Sequence, residues 1–228
     1  MDTAVEQRLS KLLGHEAPFS EGELSGITSI ALSHAHTLTG LERLQGLRIL
    51  TMTGCDAPSL GDPLRHLGSL CAVISHDSAL EDVSGLESLS LDRVALERNR
   101  IRDLAPLLRH RSLLDVNVTG NPLSPDSYRR VVPELAARGC HVTFSGEREW
   151  ELGLRMSELG LPFSYYESAE GFRLCRPGQG STRFPELNHP VIAPDALDAL
   201  LSTDPSSVAD LFQKQGTPST GGRGLPLR

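Results

Sequence analysis

Lysine is nearly absent from this sequence: of 22 basic residues, only Lys11 and Lys214 are lysine. The 29 acidic residues outnumber the basic ones and give a formal net charge of −7. No basic stripe runs along the chain. Phosphate neutralisation needs clustered cations, so nucleic acid and anionic membrane surfaces are poor partners. Long apolar runs are missing too; none approaches the roughly 18 residues of a membrane span. The opening, MDTAVEQRLSKLLGHE, lacks a basic segment followed by an apolar one, so no secretory signal is expected. Cys55, Cys71, Cys140 and Cys175 form no CxxC and no framework spacing. That predicts free thiols and a cytoplasmic location.

What is present is a repeat. In LDRVALERNRIRDLAPL, residues 91–107, apolar side chains fall at Leu91, Val94, Leu96, Ile101, Leu104 and Leu107, with Asn99 between them. The same offsets place Leu113, Val116, Val118, Asn121 and Leu123 together. Earlier they place Leu70, Val73, Ser75, Ser78 and Leu80, then Leu47, Leu50, Met52, Cys55 and Leu60. Ile27, Ile30 and Leu32 open the series. The starts, at 27, 47, 70, 91 and 113, are 20 to 23 residues apart. Two inward positions separated by one residue suit a short strand, where side chains alternate between faces. The later leucines suit a returning arc that points into the same core. The Asn position suits a turn whose backbone groups need a side-chain partner.

This LxxLxLxxNxIxxLxxL pattern resembles the leucine-rich repeat. The units are similar to the short internalin-like and phosphatase-regulator-like bacterial type, over residues 1–144. Arginine in place of lysine fits a high-GC bacterial codon bias. The resemblance implies an α/β fold: a solenoid with a curved parallel sheet, five repeats in 27–144 including a C-terminal cap, and a helical N-terminal cap in 1–26. Asp2 to Leu13 is read as that cap's helix, with Val5, Leu9 and Leu12 on one face and Gly14 as the stop. Departures are Ala35 at the first ladder position and an insertion at Gly61-Asp62-Pro63. Residues 125–138 are read as a closing helix, with Pro133 a point where it kinks or splits.

Residues 145–214 leave the repeat and read as a small α+β extension. EREWELGLRMSELG is an amphipathic helix with Trp150, Leu154 and Leu161 near one side. LPFSYYES and GFRLCRPG are hairpin strands around Ala169–Gly171. Two short helices follow, the second with Asp204 and Pro205 as cap and first residue. Residues 215–228 read as a disordered tail.

On such a solenoid, offsets 2, 4, 6 and 7 of each unit line the concave face. Four rows result: Ser29, Ile49, Ala72, Arg93 and Asp115; Ala31, Thr51, Ile74, Ala95 and Asn117; Ser33, Thr53, His76, Glu97 and Thr119; and His34, Gly54, Asp77, Arg98 and Gly120. A small, mildly apolar centre with a charged side suits a protein or peptide. The expected partner-binding residues are Thr51, Ile74, His76, Asp77, Arg93, Glu97, Arg98, Asp115 and Asn117.

Other chemistry is set aside. His34 and His36 have no third ligand. Cys140, His141, Cys175 and His189 match no zinc spacing. Ser75-His76-Asp77 is sequential and does not converge. RPGQGSTRF lacks the phosphate-loop lysine. The arginines at 98–111 are interleaved with acids. The expected protein is therefore a non-enzymatic, cytoplasmic binding module (adaptor, regulator or immunity-type inhibitor) with a protein partner, no cofactor and no metal. The rival is a catalytic or ligand-binding extension, marked by Arg173, Arg176 and His189 converging in a pocket.

Overall fold

The computed structural model describes residues 1–178 and 188–213. The expected tail at 215–228 and part of the 176–184 stretch lie outside them.

Helix α1 (Thr3–Leu13) begins at Asp2, whose carboxylate accepts from the Ala4 N–H at 2.8 Å and from the Thr37 N–H at 2.9 Å. One side chain thus caps the helix and ties it to the first coil. Gly14 ends it in the left-handed region, φ 79°. Val5 and Leu9 are buried, but Leu12 is exposed and Leu13 packs inward in its place. The row that faces the core steps by four residues, from Val5 through Leu9 to Leu13. A second short helix, α2 (Glu21–Ser25), starts at a capping box formed by Ser20 and Glu23.

Six strands follow in one parallel sheet, paired in chain order: β1 (Ser29–Ser33), β2 (Ile49–Thr53), β3 (Ala72–His76), β4 (Arg93–Ala95), β5 (Asp115–Asn117) and β6 (His141–Thr143). The register aligns Ile30, Leu50, Val73, Val94, Val116 and Val142 in one row. The inward residues two places on, Leu32, Met52, Ser75, Leu96 and Val118, are buried as well. Leucines of the returning arcs, among them Leu44, Leu67, Leu89 and Leu107, reach the same core. One apolar core therefore runs through the stacked coils, as a leucine-rich-repeat-like fold requires.

Each of the first five coils bends inward through a left-handed residue: His34 (φ 57°), Gly54 (60°), Asp77 (52°), Arg98 (54°) and Gly120 (73°). The next residue then enters the core: Ala35, Cys55, Ser78, Asn99 or Asn121. Asn99 Nδ2 donates to the Ser75 and Glu97 carbonyls at 2.9 and 3.1 Å. Asn121 Nδ2 donates to the Leu96 carbonyl at 2.7 Å, and its Oδ1 accepts from the Ile101 N–H at 3.1 Å. Ser78 Oγ accepts from the Cys55 N–H at 3.1 Å. Buried turn groups are satisfied across neighbouring coils.

The insertion after the second strand forms α3 (Gly61–Leu64). The closing helix is split: Ser127–Val131 is a π-turn and α4 (Val132–Ala137) follows, with Pro133 in its first turn. Proline has no N–H to donate and crowds the carbonyl four residues back, so the turn before it widens.

The extension comprises α5 (Glu147–Glu158), an antiparallel hairpin of β7 (Ser164–Ser168) and β8 (Gly171–Cys175), and α6 (Pro194–Thr203). Residues Pro205–Phe212 form 3₁₀ turns in place of the expected last helix, and the Asp204 carboxylate takes the Ser206 and Ser207 hydroxyls. Helix α5 serves two cores. Trp150 and Leu154 join the coils, and Trp150 Nε1 donates to the Leu123 carbonyl at 2.8 Å while its ring stacks on Tyr128. Leu152 and Met156 face Phe163, Tyr165 and Leu174. Leu161 packs with this second core and not beside Trp150.

Removing the Asn99 side chain (Asn99→Ala) takes a donor from the Ser75 and Glu97 carbonyls, the second of which keeps the Asp77 N–H, and should cost about 1–3 kcal/mol in urea unfolding. A second expectation concerns pH. Burial pushes the Glu149 carboxyl up, although Ser145 Oγ donates to it. The folded state therefore holds this proton at pH values where the unfolded chain has lost it. Stability linked to Glu149 should fall as pH rises from the ordinary carboxylate range through the raised value. Glu149→Gln should flatten that part of the stability profile; an unchanged slope would rule Glu149 out as its source.

Candidate interaction surface

The register places the first two sequence-derived rows, and the third as far as His76, on the strand face opposite the core; the fourth row falls on the bends. Ser29, Ile49, Ala72, Arg93 and Asp115 are in register, with His141 added from β6. Ala31, Thr51, Ile74, Ala95 and Asn117 form the second row, extended by Thr143. Ile49 is 41 % exposed, which is unusual for so large an apolar side chain in mid-sheet. Thr51 and Ile74 are neighbours in register and partly exposed.

The charged candidates sort into three groups. Arg93 Nε lies 3.1 Å from an Asp115 carboxylate oxygen, and His141 Nδ1 lies 3.2 Å from the other. This chain is open to solvent. His76 Nδ1 lies 2.7 Å from Glu97 Oε2, and Asn117 Nδ2 donates to Glu97 Oε1 at 2.8 Å. Burial pushes the Glu97 carboxyl up, but the His76 hydrogen bond and charge outweigh it and hold it below its ordinary value.

The third group, Asp77 and Arg98, behaves differently from the open surface expected of it. Arg98 Nε and Nη2 meet the two Asp77 oxygens at 2.6 and 3.2 Å, and Asp77 is buried. Burial lowers the Arg98 pKa, and the Asp77 hydrogen bond and charge more than reverse this. The cover is the extension. The Tyr166 ring centroid lies 4.8 Å from the Arg98 guanidinium carbon, and the Gly178 N–H donates to the Asp77 carbonyl at 2.8 Å. Arg100 Nη2 donates to the Pro177 carbonyl at 2.9 Å, and Ser164 Oγ donates to the Gly120 carbonyl. A Cβ on Gly178 would meet the Ala79 Cβ at 2.6 Å, so close approach needs glycine there. The hairpin thus seats on the bends of the third to fifth coils.

Between hairpin and sheet lies a cleft of about 400 Å³. Glu97, Arg98, Asn117 and Thr119 form one wall; Tyr166, Glu167, Glu170 and Arg173 contribute to the other. Sequence reading found the first wall and, of the second, only Arg173, because no repeat spacing ties the hairpin to the coils. Arg173 and His189 meet, the Arg173 Nη1 donating to the His189 carbonyl at 2.9 Å, but Arg176 stands apart. Arg173 lines the cleft, the Arg176 guanidinium stacks 4.2 Å above the Phe212 ring, and His189 is buried against the Tyr166 hydroxyl at 2.8 Å.

Two residues of the set-aside zinc group do meet, with a different partner. Asp77, Cys175 and His189 bring potential ligand atoms within 4.8 Å of one another, all buried. His34 and His36 belong to no such group among the described residues. Cys140 joins the coil core and His141 lies exposed on β6. Burial drives the His189 pKa down to about 4 and pushes the Cys175 thiol well up, so both are neutral near pH 7.

No protein-family model matches this chain, and no curated protein matches it. Among solved structures, an internalin (InlF) from Listeria monocytogenes aligns with 68% of this chain and 60% of its own, at 13% identity and a TM-score of 0.37. An internalin C2 from the same organism aligns over 63% and 93%, at 16% identity and a TM-score of 0.25. A structure of the CBM51-2 and INT domains of Clostridium perfringens ZmpB aligns over 36% and 17%, at 23% identity and a TM-score of 0.31. The chain spans less than two thirds of the first and last of these. The description of the fold rests on strand register and the buried ladder, not on these likenesses.

The two arginines give a direct check. Arg98→Ala strands a buried Asp77 carboxylate and should cost about 3 kcal/mol or more in equilibrium unfolding. Arg93→Ala breaks a solvent-exposed pair and should cost under about 1 kcal/mol. Equal losses would contradict the burial described here.

Proposed function

We propose that this chain is a non-enzymatic protein-binding module, an adaptor, regulator or inhibitor, whose partner docks on the open part of the concave sheet face. Thr51, Ile74, His76, Arg93, Glu97, Asp115 and Asn117 make the contacts, with Asp77 and Arg98 acting from beneath by holding the hairpin. The observation that carries this reading is the exposed apolar centre of the sheet: Ile49, Thr51, Ala72 and Ile74 lie side by side, bordered by the Arg93–Asp115 pair. An apolar centre with a charged rim fits a protein surface better than a small molecule. The internalin-like repeat type and the division into five repeats belong to this reading. So does a reducing, cytoplasmic setting, for which the four free cysteines are the support. No helix among the described residues is long and apolar enough to cross a membrane.

The catalytic alternative gains little. Arg176 packs on the Phe212 ring away from Arg173 and His189, and the Cys175 thiol is buried and protonated, the wrong state for a nucleophile.

Quantitative pull-down from the native host checks the reading. Wild type and the return-arc control Arg111→Glu should retain the same bound chain, while Ile74→Glu with Arg93→Glu should lose it about tenfold or more. Circular dichroism melts of all three should agree within a few degrees. Retention by the double variant would move the interface off this face.

A further inference from the structure

We propose that Asp77, Cys175 and His189 form a metal site that takes zinc and clamps the extension to the coils. The three ligands come from separate parts of the chain: the bend after β3, the end of β8, and the segment before α6. They meet where the hairpin seats on the third coil. This goes beyond the binding surface above and stands independently of it.

The donor set selects the ion. One thiolate sulfur, one imidazole nitrogen and one carboxylate oxygen suit zinc, whereas calcium and magnesium take oxygen ligands. Potential donor atoms lie within 4.8 Å of one another. Zinc bonds of about 2.0–2.3 Å space tetrahedral ligands some 3–4 Å apart. Closing that gap needs about an ångström of side-chain movement, and no backbone rearrangement.

Outer partners are already in place. His189 Nδ1 lies 2.8 Å from the Tyr166 hydroxyl, so an Nδ1–H donated to that oxygen leaves Nε2 with the free lone pair a metal ligand needs. Arg98 holds both Asp77 oxygens and fixes the carboxylate plane. Tyr166 in turn lies over Arg98, so one connected set of contacts orients two of the three ligands. Metal binding exchanges the Cys175 S–H bond for a sulfur–metal bond, and the proton leaves to solvent. No redox change is involved. Three protein ligands leave the fourth tetrahedral position to water.

Chelator-treated protein, confirmed folded by circular dichroism, is titrated with zinc and separately with cobalt(II). The expected result is one equivalent bound per chain. Cobalt should show a thiolate charge-transfer band and the intense visible bands of tetrahedral coordination, and zinc should raise the melting temperature. Cys175→Ser should abolish the charge-transfer band, while Cys71→Ser should keep it. Asp77→Asn, which preserves shape and tolerates the left-handed bend, should weaken zinc by about a hundredfold, and Tyr166→Phe by about tenfold. Folded wild type that binds no zinc overturns the proposal. So does a charge-transfer band that survives Cys175→Ser in protein with an unchanged circular dichroism spectrum.

Discussion

The left-handed bend at the end of each concave strand is the constraint on which the rest depends. It turns the chain inward, so that the following residue enters the core and meets backbone groups of its neighbours. Glycine takes this conformation freely at Gly54 and Gly120, whereas His34, Asp77 and Arg98 hold it at a cost of order 1 kcal/mol each. Stacking offsets that cost. The first four bends donate to the following coil, the His34 N–H to the Thr53 carbonyl, Gly54 to His76, Asp77 to Glu97 and Arg98 to Thr119, and the Gly120 N–H donates to Ser145 Oγ. The coils therefore interlock through their bends as well as through their leucines.

The same constraint explains why the extension sits where it does. A left-handed residue throws its side chain away from the sheet face and toward the rim of the coil. In the third and fourth coils these side chains are Asp77 and Arg98, which pair across adjacent bends and meet the hairpin. Glycine at the fifth bend, Gly120, leaves room for Ser164 to reach its carbonyl. Among the described residues the first two bends, His34 and Gly54, form no such ionic pair, and His34 Nδ1 lies 3.2 Å from the neighbouring Gly54 carbonyl. Cover over the late coils and openness over the early ones thus follow from which residues occupy one repeat position.

Much of this was legible in the sequence. Offsets alone put Val73, Val94 and Val116 in one row and ordered the first two surface rows, because strand alternation and a period near 22 leave little freedom. Pro133 marked the split in the closing helix for the reason given by its missing N–H. Burial at the rim was not legible. Arg93 and Arg98 look alike in sequence, yet one is open and the other is enclosed by Asp77 and Tyr166. The residues that enclose Arg98 include one nearly seventy positions away, and no periodicity carries that information. Leu12 failed because a helix with two apolar rows offers two equally good faces, and Leu161 because α5 ends at Glu158 and the chain turns at Gly160 before it.

Two cores meeting through α5 set how the coils and extension depend on each other. Trp150 is anchored in the coil core by its ring stack on Tyr128 and its bond to Leu123, while Leu152 and Met156, on the other side of the helix, belong to the second core. That attachment fixes one end of the extension. The hairpin then spans back toward the third coil, where Gly178 and Arg100 hold its far end. The cleft lies between these two points of attachment, so its width is set by how firmly the far end is held. Loosening the contacts at Asp77 would widen the cleft without touching its floor, because Glu97, Asn117 and Thr119 keep their own hydrogen bonds within the sheet. The bends therefore govern two things at once: the interlock of the coils, and how much of the sheet face the hairpin covers.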